Sequence, residues 1–257
     1  MNAGPGPEVV PAPVGARSAA RGGLGAATSV RATVFGVLGA MVLGVVLGGC
    51  ALPSPRDRGS VRVRTVNEAD VDGLLVANES HRRSYRRTAF GRGWFDIYDN
   101  GCDTRDDMLA RDLAEVRYRS GSRCVVLSGV LIDDPYGDGR IEFRRGGRSE
   151  IDIDHVVPLA EAWRSGAWAW TKARRTEFAN SPENLLAVSA RLNRGKGDDD
   201  IRGWLPEDPD RACEYVARFV AVKRRWQLSV DKAELASIRR VVAGCGSEGQ
   251  AVAVSQP

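Results

Sequence analysis

The sequence predicts an α+β fold: a mostly helical single domain with a small antiparallel sheet. Three observations carry this reading. Within E-I-D-I-D-H-V-V-P-L, Ile151, Ile153 and Val157 alternate with polar residues, the period-two pattern of a half-buried strand. Residues 159–180 and 211–226 instead place apolar side chains at helical spacing. Finally, D-D-P-Y-G-D-G is a turn between two short apolar runs, the signature of antiparallel strands.

In chain order, residues 1–31 are rich in Gly, Ala and Pro, with scattered arginines and no apolar periodicity. Residues 32–49 are largely apolar and run into Cys50, so residues 1–49 read as an export signal. The final Leu47-Gly48-Gly49-Cys50 resembles a bacterial lipobox, which would leave Cys50 as a lipidated N-terminus on the extracytoplasmic side of the membrane. A transmembrane anchor is the competing reading, because the run is near the lower spanning length. Residues 50–60 form a tether by composition, residues 61–66 alternate as a short strand, and residues 68–78 suit a helix. Between 85 and 100, arginines interleave with aromatics, as on a surface that tracks phosphates or as core aromatics under solvated arginines.

Asp103 or Thr104 caps a helix predicted to run to about Val116. Strands follow at 124–131 and 141–143, then the strand that ends at His155 and Pro158. The helical stretch 159–180 is broken at Gly166; its tryptophans are core, and Arg174 and Arg175 fall on the far face. Ser181-Pro182 is a turn, 185–188 an apolar strand, and Ser189 an N-cap for a short helix carrying Asn193 and Lys196. A helix over 211–226 and a last helix over 231–243, capped by Ser229, complete a domain spanning 61–245, and residues 246–257 read as a disordered tail.

At 257 residues the chain is long enough for one good core. The formal net charge is +4 and falls to +2 without the first 49 residues, which hold three arginines and one glutamate. That charge does not announce a nucleic-acid binder, so distribution has to decide. The basic residues are nearly all arginine, which suits bidentate phosphate contacts but is also what a GC-rich genome favours. Of two histidines, His81 sits in E-S-H-R-R-S-Y without chemical company and reads as surface. His155 follows Asp154 directly, and its ordinary pKa suits a general base. If Cys50 is lipidated, Cys102, Cys124, Cys213 and Cys245 remain, an even number that allows three disulfide pairings. Cys102–Cys124, bracketing one helix, and Cys213–Cys245, clamping the last helix pair, are preferred.

The stations D-I-D-H-V-V-P, then E-N-L-L, then L-N-R-G-K-G-D form a strand–strand–helix series over 150–198 that resembles the HNH (ββα-metal) nucleases. The wording is similar to the HNH domain of the RNA-guided CRISPR effector nuclease. With G-C-D-T-R-D, F-A-N-S-P-E-N-L and W-L-P, the span from Tyr98 to Cys245 resembles the exported actinobacterial HNH endonucleases, relatives of the C-terminal domain of modification-dependent restriction enzymes.

The resemblance implies a ββα-metal core within the helical domain and a phosphodiester hydrolase of low sequence specificity acting on DNA or RNA outside the cytoplasm. It implies His155 as the base and one Mg²⁺ or Mn²⁺ on Asp154 and Asn193, a hard cation with oxygen ligands. Asn184 would fix the loop that orients the histidine. Lys196 and Arg194 would meet the phosphate, Arg105, Arg174 and Arg175 would contact nucleic acid, and Asp152 and Asp198 would support the site. Some HNH proteins carry a structural zinc, but this chain has no C-x-x-C pair. Asn rather than His at the last station matches the one-metal subgroup. No protein partner is expected. The alternative is a non-catalytic nucleic-acid-binding surface lipoprotein that retains the fold.

Overall fold

The computed structural model describes residues 66–245 and the backbones of two further strands, Ser60–Val63 and Val252–Ser255. The chain divides into two units, Met1–Ala51 and Leu52–Pro257; the first, with the expected export signal and Cys50, lies outside the described residues. Among the described residues no helix is long and apolar enough to cross a membrane.

The second unit mixes seven helices with four small sheets among the described residues. Strand β1 (Ser60–Val63) pairs antiparallel with β9 (Val252–Ser255), which falls within the stretch expected to be a tail. Helix α1 (Glu68–Asp72) is shorter than expected, because the chain turns at Gly73 and extends as β2 (Leu75–Val76). Helix α2 (Thr104–Asp112) starts at Asp103, whose side chain accepts from Asp106 N. It stops well before Val116: Leu113 is extended, and Ala114, Val116 and Tyr118 alternate as β3 (Ala114–Tyr118). Leu113 packs against Gly129, where a Cβ would lie 3.0 Å from the leucine's own, so the glycine admits the crossing. Strands β4 (Val126–Leu131) and β5 (Ile141–Arg144) complete the antiparallel order β3-β4-β5.

Strand β6 (Ile151–His155) pairs antiparallel with β7 (Leu185–Ser189), setting Asp154 opposite Leu186 and His155 opposite Leu185. Between them run α3 (Leu159–Arg164), a 3₁₀ turn at Ala167–Ala169 and α4 (Lys172–Ala179), with the break at Gly166, whose φ is +132°. The Ser189 hydroxyl accepts from Leu192 N and starts α5 (Ala190–Lys196), which packs on both strands. Helix α6 (Pro209–Trp226) follows. Ser229 sits in β8 (Ser229–Val230), parallel to β2, and the cap of α7 (Lys232–Gly244) is Asp231, accepting from Ala233 N and Glu234 N.

Two apolar clusters flank the β6–β7 pair. Ile151, Ile153, Leu185 and Ala187 pack with Met108, Leu109, Val126 and Phe143 of α2 and the three-stranded sheet. The larger cluster joins Val156, Val157 and Val188 to Phe178, Val216, Phe219, Val220 and Ile238. Each fully buried Val, Leu, Ile, Phe or Met side chain among them contributes about 1.5–3 kcal/mol. Disulfides Cys102–Cys124 and Cys213–Cys245 fasten α2 to the sheet and α7 to α6.

Within the larger cluster lies a charged knot. Lys223 Nζ is 2.6 Å from Glu161 and 2.9 Å from Glu234, all three side chains at most 1% exposed. Burial pushes the Glu234 carboxyl up to about 8, while Lys223 holds Glu161 low against its own burial.

Candidate active site

Alternation along β6 sends Ile151, Ile153 and His155 to one face and Asp152 and Asp154 to the other. His155 therefore leaves the strand towards α2 and the loop before it, whereas the two aspartates face α5. The strand ends at His155, and the two residues after it are gripped by Asn184. Val156 N donates to the Asn184 carbonyl at 2.9 Å, Val157 N donates to Asn184 Oδ1 at 2.8 Å, and Asn184 Nδ2 donates back to the Val157 carbonyl at 3.2 Å. Fully buried, Asn184 fixes the backbone that aims the histidine.

The His155 ring is 6% exposed. Its Nε2 lies 2.8 Å from the Ala179 carbonyl, which accepts only, so Nε2 carries the proton and the neutral ring keeps its lone pair on Nδ1. The Trp94 ring runs nearly parallel to it, 7° between planes and 5.8 Å between centroids. Burial lowers the His155 pKa to about 4; the Ala179 hydrogen bond and Asp154 oppose this, and the charges of Arg87 and Lys196 reinforce it. The ring is thus an unprotonated base at neutral pH. It lines a cleft of about 470 Å³ together with Arg87, Thr88, Gly91, Arg92 and Trp94.

On the opposite face, Asp154 Oδ2 accepts from the Tyr136 hydroxyl at 2.5 Å and meets Lys196 Nζ at 2.9 Å. Lys196, buried in α5, also donates to the His155 carbonyl at 2.9 Å, so one ammonium links the backbone of the histidine to the carboxylate of the aspartate. Asn193 Nδ2 donates to Asp152 Oδ2 at 3.2 Å, and Arg194 stands 3.7 Å from the same carboxylate, half exposed. Among the described residues, Asp154 Oδ1 and Asn193 Oδ1 accept no hydrogen bond. The donors gathered on this face are a carboxylate and an amide oxygen, the chemistry of a hard divalent cation, with Asp152 beside them.

Other expected residues lie elsewhere. Arg175 donates to the Ala89, Ala167 and Trp170 carbonyls and covers the Trp163 ring. Arg174 donates to the Trp226 carbonyl and covers the Trp170 ring. These guanidinium groups fasten α4 to its neighbours. Arg105 packs over Phe143, its pKa lowered by burial, and the neighbouring Asp106 pairs with Arg145. The Asp198 carbonyl accepts from Arg164, on the far side of α3. His81 is on the surface, stacked on Trp168 at 3.8 Å.

Tyr136 carries no signal in the sequence beyond its place in a turn. The fold brings it in because Asp134 accepts from Ser189 N at 3.0 Å and Asp138 accepts from the Ser189 hydroxyl, pinning that turn to the start of α5. One further acidic cluster, Glu79, Glu161 and Asp200, is geometrically able to bind a cation. Its carboxylates are already matched: Glu79 by Arg82, Arg164 and Arg202, Glu161 by Arg164 and Lys223, Asp200 by Arg202. It is an ion-pair network with no charge left for a metal to neutralise.

Residues 103–241 match the family described as GmrSD restriction endonucleases, C-terminal domain. An uncharacterized secreted protein of the fungus Arthroderma benhamiae is 36% identical over 177 residues, 68% of this chain and 82% of its own length. No solved structure matches. A secreted relative and two disulfides are both consistent with an exported chain.

Proposed function

The chain belongs to the family of GmrSD restriction-endonuclease C-terminal domains, and from that premise we propose that it is a divalent-cation-dependent endonuclease of the HNH type that hydrolyses DNA, with His155 as its general base. The observation that carries this reading is the His155–Ala179 hydrogen bond, which fixes the tautomer with Nδ1 bare in a ring held unprotonated at the wall of a cleft. An imidazole so arranged takes a proton from water. The phosphodiester anion that enters the cleft stabilises the imidazolium as it forms, raising the base strength that burial suppresses.

Asp154 and Asn193 would hold the cation through their free oxygens, with Asp152 orienting Asn193. When bound, a divalent ion neutralises the phosphate and relieves charge on the departing oxygen. Tyr136 and Lys196 hold the other oxygen of Asp154, and Lys196 ties the carboxylate to the strand end that carries His155. Asn184 keeps that strand end in place, and Arg194, 3.7 Å from Asp152, would meet the phosphate. Residues 1–49 would direct export, and Cys50, at the end of the lipobox-like Leu47-Gly48-Gly49-Cys50, would anchor the enzyme outside the cytoplasm.

The deciding experiment incubates the chain with supercoiled plasmid and Mg²⁺ or Mn²⁺, with EDTA and His155→Ala controls and an RNA of similar length alongside. Nicking that needs the ion and is lost in the variant is the expected result. Intact plasmid with folded protein and either ion refutes it.

A further inference from the structure

Two arginines of the cleft wall have no part in the chemistry above. Arg87 and Arg92 are exposed, line the cleft beside His155, and make no ion pair among the described residues. Many other arginines of the fold are held by carboxylates or backbone carbonyls. The wall turns at Gly91, whose φ is +105° and whose Cβ would meet the Phe95 ring at 3.0 Å, so only glycine lets this ring close over the turn. Phe95 is 44% exposed although its backbone is pinned, its N–H donating to Asn180 Oδ1 at 3.0 Å and its carbonyl accepting from Thr104 N at 2.9 Å. An apolar ring carried on a pinned backbone and exposed at the rim of a cationic cleft is a stacking platform in want of a partner.

We propose that the cleft beside His155 is a subsite for single-stranded nucleic acid, in which Arg87 and Arg92 bind phosphates flanking the scissile bond and Phe95 takes an unstacked base. Its orientation rests on the endonuclease reading. The recess favours one strand over a duplex: His155 is 6% exposed, with Trp94 beside it, so a backbone has to enter the cleft to reach the ring. A free strand can do so while offering a base face to Phe95, whereas the bases of a duplex are already stacked on each other.

The test measures binding with catalysis silenced. The full chain, in detergent and EDTA, is titrated into a fluorescent oligothymidylate and into a duplex of equal length, with anisotropy as the readout. The single strand should bind about tenfold more tightly than the duplex. Arg87→Ala/Arg92→Ala should weaken it about tenfold and reduce the slope of log K against log salt by about 1.4, at roughly 0.7 for each phosphate left without its arginine. Phe95→Ala should weaken it about tenfold with the slope unchanged. Arg117→Ala/Arg119→Ala, on exposed positions in and just after β3 that do not line the cleft, removes the same charge and should change neither. Equal affinity for duplex and single strand overturns the proposal. So does an unchanged salt slope in the cleft variant, or an equal weakening in the β3 variant. Binding that behaves as expected in a protein that never cuts plasmid would refute the endonuclease reading and leave the subsite standing.

Discussion

Removing Lys223 is the sharpest test of what holds the scaffold behind the site. Its ammonium sits 2.6 Å from Glu161 and 2.9 Å from Glu234 and donates to the Ser229 carbonyl at 2.8 Å, with no solvent on any of the three side chains worth counting. Lys223→Met keeps the length and the packing but leaves Arg164 as the nearest cation to Glu161 and none beside Glu234. Breaking a buried pair from one side costs about 3–5 kcal/mol, since a charge stays buried without compensation. In a domain of this size that lowers Tm by roughly 6–20 °C. The pH dependence is a second constraint. The Glu234 carboxyl is raised in the folded protein to about 8. Its favourable contribution is therefore complete below the unfolded value near 4.5 and is lost as pH rises through 8. Without Lys223 both carboxylates rise further, so the penalty should shrink at pH 5, where each accepts a proton at little cost. Guanidinium unfolding followed by tryptophan fluorescence at pH 8 and pH 5 reads both effects. Lys223→Met combined with Glu161→Gln and Glu234→Gln should recover most of the stability. A cost below about 1 kcal/mol at pH 8, or a larger cost at pH 5, would refute the reasoning.

Three further outcomes follow from the geometry. Tyr136→Phe removes the hydroxyl that orients Asp154, so the Mg²⁺ concentration for half-maximal cleavage should rise about 10–100-fold while the fold persists; an unchanged metal titration counts against Asp154 as a ligand. Asn184→Ala strips both partners from the Val157 peptide and should cost about 2–4 kcal/mol, with cleavage falling further than stability explains; melting and plasmid nicking on one preparation separate the two. Reducing the disulfides should cost roughly 3.4 kcal/mol for the 22-residue separation and 3.7 kcal/mol for the 32-residue one on the chain-entropy estimate, measured by comparing denaturation midpoints with and without reductant.

The parts of this fold that are local in sequence were legible there. Alternation found β6, the Ser189 hydroxyl marked α5, and Gly166 marked the break between α3 and α4, because each depends on side chains within a few positions. Both disulfides pair as their bracketing of helices suggested. What failed was set by partners distant in sequence. Residues 113–118 leave the helix because Leu113 crosses Gly129 and Val116 finds the sheet. In the candidate site, Asp154, His155, Asn184, Asn193 and Lys196 carry a recognisable spacing. Tyr136 arrives from a turn of ordinary composition, so only the fold reveals it; the arginines and aromatics of 85–100 stood out in the sequence, but their place beside His155 did not.

The parallel pairing of Leu75–Val76 with Ser229–Val230 has a consequence in time. The segment leading to the cleft wall is anchored to residues synthesised some 150 positions later, and Cys213 waits for Cys245 in the same way. A nascent chain long enough to contain His155 and Asn193 still lacks the strand that holds the segment before Arg87, and it cannot close its last covalent loop. The wall beside His155 is therefore fastened last, and a chain interrupted before residue 229 lacks both that strand pairing and the second disulfide.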